Sequence, residues 1–200
     1  MTAAAHGPAP VIGPNAVLQM VPAIARELGP PRLADILAGA GLTRLPDGTA
    51  MIPEEDAARL HRTLREAEPA AARRIAAAAG VATADYILAH RIPRGAQRVL
   101  KALPAALAAP VLARAISRHA WTFAGSGTFR RRDPWTFEIA GNPLIRGESS
   151  PVPLCVWHAA VFERLYAVLV APDCRCEEVT CAAQGSDACR FHVRRHRPAR

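Results

Sequence analysis

The segment EVTCAAQGSDACRF, residues 178–191, decides how the C-terminal half of the chain is interpreted. Its centre contains Gly185, which tolerates positive φ angles, followed by Ser186 and Asp187, whose short polar side chains bond to nearby backbone groups. Such a cluster predicts a turn. The residues on either side then form a pair of strands, Cys174–Thr180 and Cys189–Val193, which the turn joins.

Upstream of this segment, the apolar pattern predicts one helix and two more strands. Apolar residues recur at helical spacing from Cys155 to Leu169. Earlier in the chain, large and small or polar residues alternate from Trp121 to Phe129, and again from Trp135 to Ile139. We therefore predict two strands that are joined by a hairpin across residues 130–134.

To about residue 118 the apolar residues follow the spacing of helices. The predicted helices cover residues 15–28, with a kink at Pro22, then residues 53–69, 70–79, 83–90 and 104–118. The fold class is therefore α+β, in which a helical N-terminal half packs with a small antiparallel sheet and a helix. We divide the chain into a helical region (1–117), a ligand and metal domain (118–193) and a basic tail (194–200).

Charge and apolar content limit the classes of function. The formal net charge of +8 suggests acidic partners, but part of the excess is confined to the run 130–132 and to the tail. Nucleic acid is not favoured, because the sequence has no P-loop and no clear helix-turn-helix. It also shows no secretory signal and no run of about 18 apolar residues, so we expect a cytoplasmic protein. The basic tail is a candidate contact with an anionic membrane surface.

Five cysteines lie late in the chain, and thiols stay reduced in the cytosol, so metal ligands are one interpretation. Zinc takes four ligands, usually thiolates, imidazoles or a carboxylate, and two acidic residues lie among these cysteines. The alternative is a set of small buried thiols, because the spacing fits no standard zinc finger. The residues concerned are Cys155, Cys174, Cys176, Glu177, Glu178, Cys181 and Cys189.

The segment 178–191, together with Cys155 at the start of the preceding helix, resembles the terminal signature of the vinyl-4-reductase domain family. That resemblance implies a structural zinc ion held by Cys155, Glu178, Cys181 and Cys189. In a regular strand Glu178 and Cys181 face opposite sides, so the strand must end or bulge between them. Cys174 or Cys176 could replace Glu178 as the fourth ligand. Four protein ligands leave no open position, so such a site is structural.

The resemblance extends to the members of the family that serve bacteriochlorophyll biosynthesis, through WTFAGSG (121–127) and NPLIRG (142–147). It implies a divinyl magnesium tetrapyrrole of the protochlorophyllide type as ligand, enzymes of that pathway as partners and dimerisation through the helical part. Such a protein could also lie at the inner or photosynthetic membrane. For the ligand, we predict stacking on four aromatic residues, an axial histidine and an arginine for a carboxylate. The predicted residues are Trp121, Phe123, Trp135, Phe137, His119, His158 and Arg146.

Reduction of a vinyl group needs a source of hydride or electrons, and no cofactor motif is visible. The sequence has no G-x-G-x-x-G between a strand and a helix, and the cysteine spacing departs from that of ferredoxins. We therefore favour a protein that binds the tetrapyrrole and presents it to pathway enzymes. The alternatives are an 8-vinyl reductase that uses NADPH or a partner's electrons, and a sensor module, since the family includes ligand-sensing domains of phenol-responsive activators.

Overall fold

The structure is a computed structural model that describes residues 9–196. Helices dominate the part before residue 125, and a four-stranded sheet dominates the part after it. The helices are α1 (Asn15–Leu18), α2 (Met20–Leu28), α3 (Pro30–Gly39), α4 (Glu54–Ala67), α5 (Pro69–His90), α6 (Arg94–Ala102), α7 (Ala105–Arg118), α8 (Trp121–Ala124) and α9 (Val156–Leu169). The strands are β1 (Val11–Ile12), β2 (Ile52–Pro53), β3 (Thr128–Asp133), β4 (Thr136–Ala140), β5 (Cys174–Thr180) and β6 (Ala188–Arg195).

Two predictions about the helical part were wrong in detail. The first predicted helix breaks at Gln19, between α1 and α2, and not at Pro22. Pro22 lies in the first turn of α2, where its missing N–H would have no partner within the helix, so it does not disturb the hydrogen bonds. The stretches 70–79 and 83–90 form one helix, α5, in which the Thr83 hydroxyl donates to the Ala79 carbonyl at 2.8 Å.

The four-stranded sheet is antiparallel, with the strand order β3-β4-β6-β5. The predicted hairpin (β3 and β4), the helix α9 and the strand β5 are confirmed. The prediction that Trp121 and Phe123 lie on a strand was wrong, because they form the short helix α8, in which the Ala124 N–H donates to the Ala120 carbonyl. Alternation over so few residues fits a single helical turn as well as a strand.

Helix α9 lies between the helical part and the sheet and joins them into one core. On one side it packs closely against α5, because Gly80 leaves room for it: a Cβ atom at position 80 would lie 2.5 Å from the Trp157 carbonyl oxygen. Toward the sheet it buries Phe162 and Tyr166 against Phe137. The fold class is confirmed, with a helical part packed on a small antiparallel sheet. Within residues 9–196, no helix is long and apolar enough to cross a membrane.

The predicted basic tail divides at the end of the sheet. Arg194 and Arg195 belong to β6, and Arg195 pairs with Asp173 at 3.0 Å. Residues 197–200 lie outside the described residues.

Candidate functional site

Four of the predicted metal ligands meet at one end of α9. Cys155 is the N-cap of α9, Glu178 lies in β5, Cys181 follows the end of β5, and Cys189 lies in β6. One ligand atom from each of these side chains lies within 4.8 Å of all the others. We call these residues the four-donor cluster. Its members come from three elements, so a bound ion would fix the start of α9 to the sheet.

An irregularity in β5 allows the cluster to form. The pairing of β5 with β6 shifts register between Glu178 and Thr180, and the strand then ends. The predicted break between Glu178 and Cys181 is thereby confirmed. The break brings Cys181 to the same side as Glu178, where a regular strand would have placed it on the opposite face.

Hydrogen bonds around the cluster suit thiolate sulfurs. The Asn142 side-chain amide donates to Cys155 Sγ at 3.2 Å, and the Ala182 N–H donates to Cys189 Sγ at 3.5 Å. The Sγ atoms of Cys155 and Cys189 are 3.2 Å apart. Donors that point at metal-binding sulfurs orient the ligands and stabilise their charge. The sequence analysis interpreted Asn142 only as a break before Pro143, so it missed this contact.

The electrostatics of the cluster call for a positive charge. Burial raises the pKa of Glu178 to about 8, and burial also raises the pKa of the Cys155 thiol. The hydrogen bond with Cys155 lowers the pKa of Cys181 to about 5. Because these acidic groups oppose one another's ionisation, a divalent cation is needed to hold all of them deprotonated together.

The carboxylate of Glu178 is only partly satisfied. Its Oε2 atom accepts a hydrogen bond from the Cys155 N–H at 2.7 Å, but its buried Oε1 atom has no partner within residues 9–196. Such an atom is costly to bury unless it binds something. Cys174 and Cys176 face the same side of β5 as Glu178 but lie outside the four-donor cluster. The geometry therefore gathers Glu178, rather than either of these cysteines, with the other three ligands.

The aromatic residues predicted to bind a ligand have different environments. Phe137 is fully buried, and its ring centroid is 4.9 Å from that of Phe162. Phe123 is partly buried against the same ring at 5.7 Å, and Trp135 packs against Tyr166 at 5.6 Å. These rings form the core between α9 and the sheet. By contrast, Trp121 is 57% exposed.

The two predicted histidines also differ. His119 is exposed at the C-terminal end of α7. His158 is buried among aromatic rings, and its Nε2 atom lies 3.2 Å from the Phe123 carbonyl oxygen. Burial lowers the pKa of His158 to about 4, so the ring is neutral at pH 7. Its buried Nδ1 atom has no hydrogen-bond partner in the described part of the chain.

Arg146, predicted to meet a ligand carboxylate, binds one within the protein. It donates to Glu54 at 3.0 Å and to the Ser126 hydroxyl at 2.7 Å, and it remains half-exposed. Glu54 also accepts hydrogen bonds from the Ser126 N–H and hydroxyl, each at 2.7 Å. Sequence reasoning missed Glu54 and Ser126 as its partners, because residues so far apart carry no spacing signal.

Two surface cavities border the sheet domain. A groove of about 740 Å³ lies between α5, α9 and β5, with an alanine-rich floor, arginines on its rim and Glu178 at its edge. None of the seven residues predicted to bind the tetrapyrrole lines it. Trp135 instead lines a shallower cavity of about 660 Å³ beside β6.

The comparisons with known proteins agree with this architecture. Residues 135–195, which include α9, β5, β6 and the four-donor cluster, match the family model of the vinyl-4-reductase domain. The fold and the site thus define a protein of the vinyl-4-reductase domain class, and the resemblance to that family is confirmed.

Two relatives match over nearly the whole chain. The bacteriochlorophyll synthase 23 kDa chain of Cereibacter sphaeroides is 52% identical over 184 residues, which are 91% of this chain and 89% of that protein. The protein of the same name from Rhodobacter capsulatus is 44% identical over 184 residues, or 91% and 86% of the two chains. The protein therefore belongs to the family of bacteriochlorophyll synthase 23 kDa chains.

Solved structures with the same fold are H-NOX proteins. One from S. oneidensis, in the Fe(II)NO ligation state, has a TM-score of 0.58 at 10% identity and covers 93% of this chain and 100% of its own. Another, determined to probe heme distortion in the H-NOX family, has a TM-score of 0.55 at 10% identity and covers 94% and 97%. At such low identity these structures share the fold alone with this chain.

Proposed function

We propose that the protein serves bacteriochlorophyll biosynthesis by binding a divinyl magnesium tetrapyrrole and presenting it to the enzymes of the pathway. The names of the two relatives support the pathway. The H-NOX structures support the ligand class, because the same fold accommodates heme in those proteins. The mode of dimerisation and the contact of the basic tail with a membrane remain predictions.

The observation that carries the ligand proposal is the environment of His158. Its ring is neutral and its Nδ1 atom is buried without a partner in the described part of the chain, so a nitrogen lone pair is free inside an aromatic shell. An imidazole in this state can serve as an axial ligand of a chelated magnesium ion. The rings of Phe123 and Phe191, with centroids 6.2 and 5.9 Å from that of His158, offer faces for a flat macrocycle.

The second part of the proposal is a structural zinc ion in the four-donor cluster. Three thiolates and one carboxylate are a donor set that zinc accepts, and the unpartnered Oε1 atom of Glu178 fits a metal ligand. Cys155 would hold the start of α9, and Cys189 would hold β6. All four positions come from the protein, so the ion would stabilise the domain and carry no chemistry on the substrate.

A spectral titration tests the ligand proposal. Purified protein is titrated with divinyl protochlorophyllide under anaerobic conditions, and we expect a saturable shift of the absorption bands. His158→Phe keeps an aromatic ring but removes the nitrogen, so it should weaken binding by roughly tenfold or more. His119→Phe, on an exposed histidine, is the matched control if His158 is the axial ligand. No saturable shift, or equal binding by wild type and His158→Phe, would overturn the assignment.

The same sample separates a carrier from a reductase. NADPH is added to the complex, and the extracted pigment is analysed. An intact vinyl group is the result expected of a carrier, whereas conversion to the monovinyl pigment would establish the alternative, an 8-vinyl reductase that uses an external electron donor.

A further inference from the structure

The stretch from Tyr86 to Arg132 contains nine Arg and Lys residues but no Asp or Glu. It covers the end of α5 and all of α6, α7 and α8. The cationic side chains of α6 and α7 are exposed and form no ion pair within residues 9–196. They are Arg94, Arg98, Lys101, Arg114 and Arg118. This side of the molecule therefore carries an uncompensated positive charge, which attracts anions.

Large apolar side chains are exposed on the same two helices. Val99 is 61% exposed, Leu107 is 57% exposed and Val111 is 54% exposed. Val99 lies in the last turn of α6 and Leu107 in the first turn of α7, and only residues 103–104 separate the two helices. These apolar side chains therefore gather around the α6–α7 connection.

The spacing on α7 places apolar and basic residues on one stripe. Leu107, Val111, Arg114 and Arg118 follow one another at intervals of four, three and four residues, which puts them along one face of a helix. The opposite face is buried in the core through Ala108, Leu112 and Ile116. On α6, Arg94, Arg98 and Lys101 are also spaced along one face. We call the exposed faces of α6 and α7 the α6–α7 surface.

We propose that the α6–α7 surface docks onto an anionic lipid bilayer, with Val99, Leu107 and Val111 in the headgroup boundary and the basic residues against anionic headgroups. Helices that lie in a membrane interface combine an exposed apolar edge with Lys and Arg in this way. The inference does not rest on tetrapyrrole binding. It assigns membrane contact to α6 and α7, and not to the tail at residues 194–200.

Charge and side-chain type favour lipid over other occupants. A second copy of the chain would bring an equally positive surface against this one, so the two would repel each other. Single-stranded nucleic acid is held by aromatic stacking between basic groups, but the exposed apolar residues of α6 and α7 are aliphatic. Aliphatic side chains gain free energy by leaving water for the acyl boundary.

Flotation with vesicles tests the proposal on the full chain. Vesicles of neutral lipid with roughly one-third anionic phosphatidylglycerol are compared with wholly neutral vesicles at low salt. We expect wild type to bind the anionic vesicles and to be released by salt. Arg94→Glu with Arg98→Glu should lower the partition coefficient by roughly tenfold or more. Leu107→Ser with Val111→Ser should also weaken binding but leave its salt dependence unchanged.

Matched controls change equally exposed residues elsewhere. Arg44→Glu with Arg73→Glu makes the same charge change, and Val152→Ser with Val179→Ser makes the same apolar change. These controls should bind vesicles much more like wild type than the α6–α7 variants do, and thermal melts confirm that all variants fold. Unchanged binding by both α6–α7 variants would overturn the proposal. So would loss of binding only on deletion of residues 194–200, or a change from dimer to monomer in Leu107→Ser with Val111→Ser without a change in vesicle binding.

Discussion

Glu54 and Glu178 are both buried glutamates, but their surroundings differ. Glu54 is 4% exposed, and both of its oxygens accept hydrogen bonds, from Ser126 and from Arg146. Glu178 is 9% exposed, and one oxygen has no partner in the described part of the chain. Burial opposes the ionisation of both. At Glu54 the hydrogen bonds outweigh burial and lower the pKa, whereas at Glu178 burial raises the pKa to about 8.

The difference separates a structural ion pair from a ligand site. The Glu54 carboxylate is complete within the protein, and it fixes the start of α4 to the loop after α8. The Glu178 carboxylate faces three thiols and lacks a positive charge. A buried acidic group that the protein leaves unsatisfied is a candidate for an external cation. The predictions below test this contrast, from the largest expected effect to the smallest.

Removal of the metal should have the largest effect. If zinc is present at about 1,000 times its Kd, its binding adds about 4 kcal/mol to the free energy of unfolding. For a protein of this size that corresponds to roughly 8–16 °C in Tm, so a chelator should lower the melting temperature by about that amount. Cys176→Ser should keep the full response to the chelator, whereas Cys189→Ser should have none. A wild-type Tm that does not respond to chelation would contradict the proposed site.

Acid should destabilise the fold through buried neutral histidines. His61 is buried with Nε2 3.0 Å from the Ala16 carbonyl oxygen, and burial lowers its pKa from 6.5 to about 3. The unfolded chain therefore takes up a proton below pH 6.5 that the folded chain refuses. The stability is fully present above pH 6.5 and falls with pH by about 1.4 kcal/mol per unit for each such group, or about 3 kcal/mol by pH 4.

His61→Gln tests this assignment, because glutamine keeps a donor for the Ala16 carbonyl but does not titrate. Urea unfolding between pH 7 and pH 4 should show a shallower pH dependence for this variant than for wild type. The exposed His90→Gln variant is the control and should follow the wild-type curve. Equal slopes for wild type and His61→Gln would show that His61 is not the group responsible.

Glu54→Gln should cost about 2 kcal/mol in the free energy of unfolding at pH 7, because it removes charged hydrogen bonds from Ser126 and Arg146 at a buried position. Chelation should not alter this cost. Urea unfolding with and without chelator measures it. A cost near zero would mean that Glu54, like Glu178, is not stabilised as a carboxylate by its neighbours.

Glu178→Gln should have the smallest effect, provided that the metal has been removed. In the metal-free protein this substitution removes a carboxyl group that the fold does not stabilise, so the free energy of unfolding should change by no more than about 1 kcal/mol. With zinc present, the same substitution should lower stability by weakening the ion's binding. An equal loss in both conditions would make Glu178 an ordinary structural residue.

The C-terminal half was predictable because its signals are local. The turn at Gly185 and the apolar spacing of α9 predicted the elements around the cluster, and the resemblance supplied the four ligands. The helix α8 was not predictable, since the alternation around Trp121 fits a strand equally well. The Glu54 pair was not predictable either, because its partners lie 72 and 92 residues away and only the packed fold brings them together.

X-ray absorption at the zinc edge of the purified, zinc-loaded protein tests the central claim most directly. The account predicts three sulfur ligands at about 2.3 Å and one oxygen ligand at about 2.0 Å, from Cys155, Cys181, Cys189 and Glu178. A shell of four sulfur atoms would place Cys174 or Cys176 where we place Glu178. Protein that retains no zinc after loading and gel filtration would contradict the claim that these four residues form a metal site.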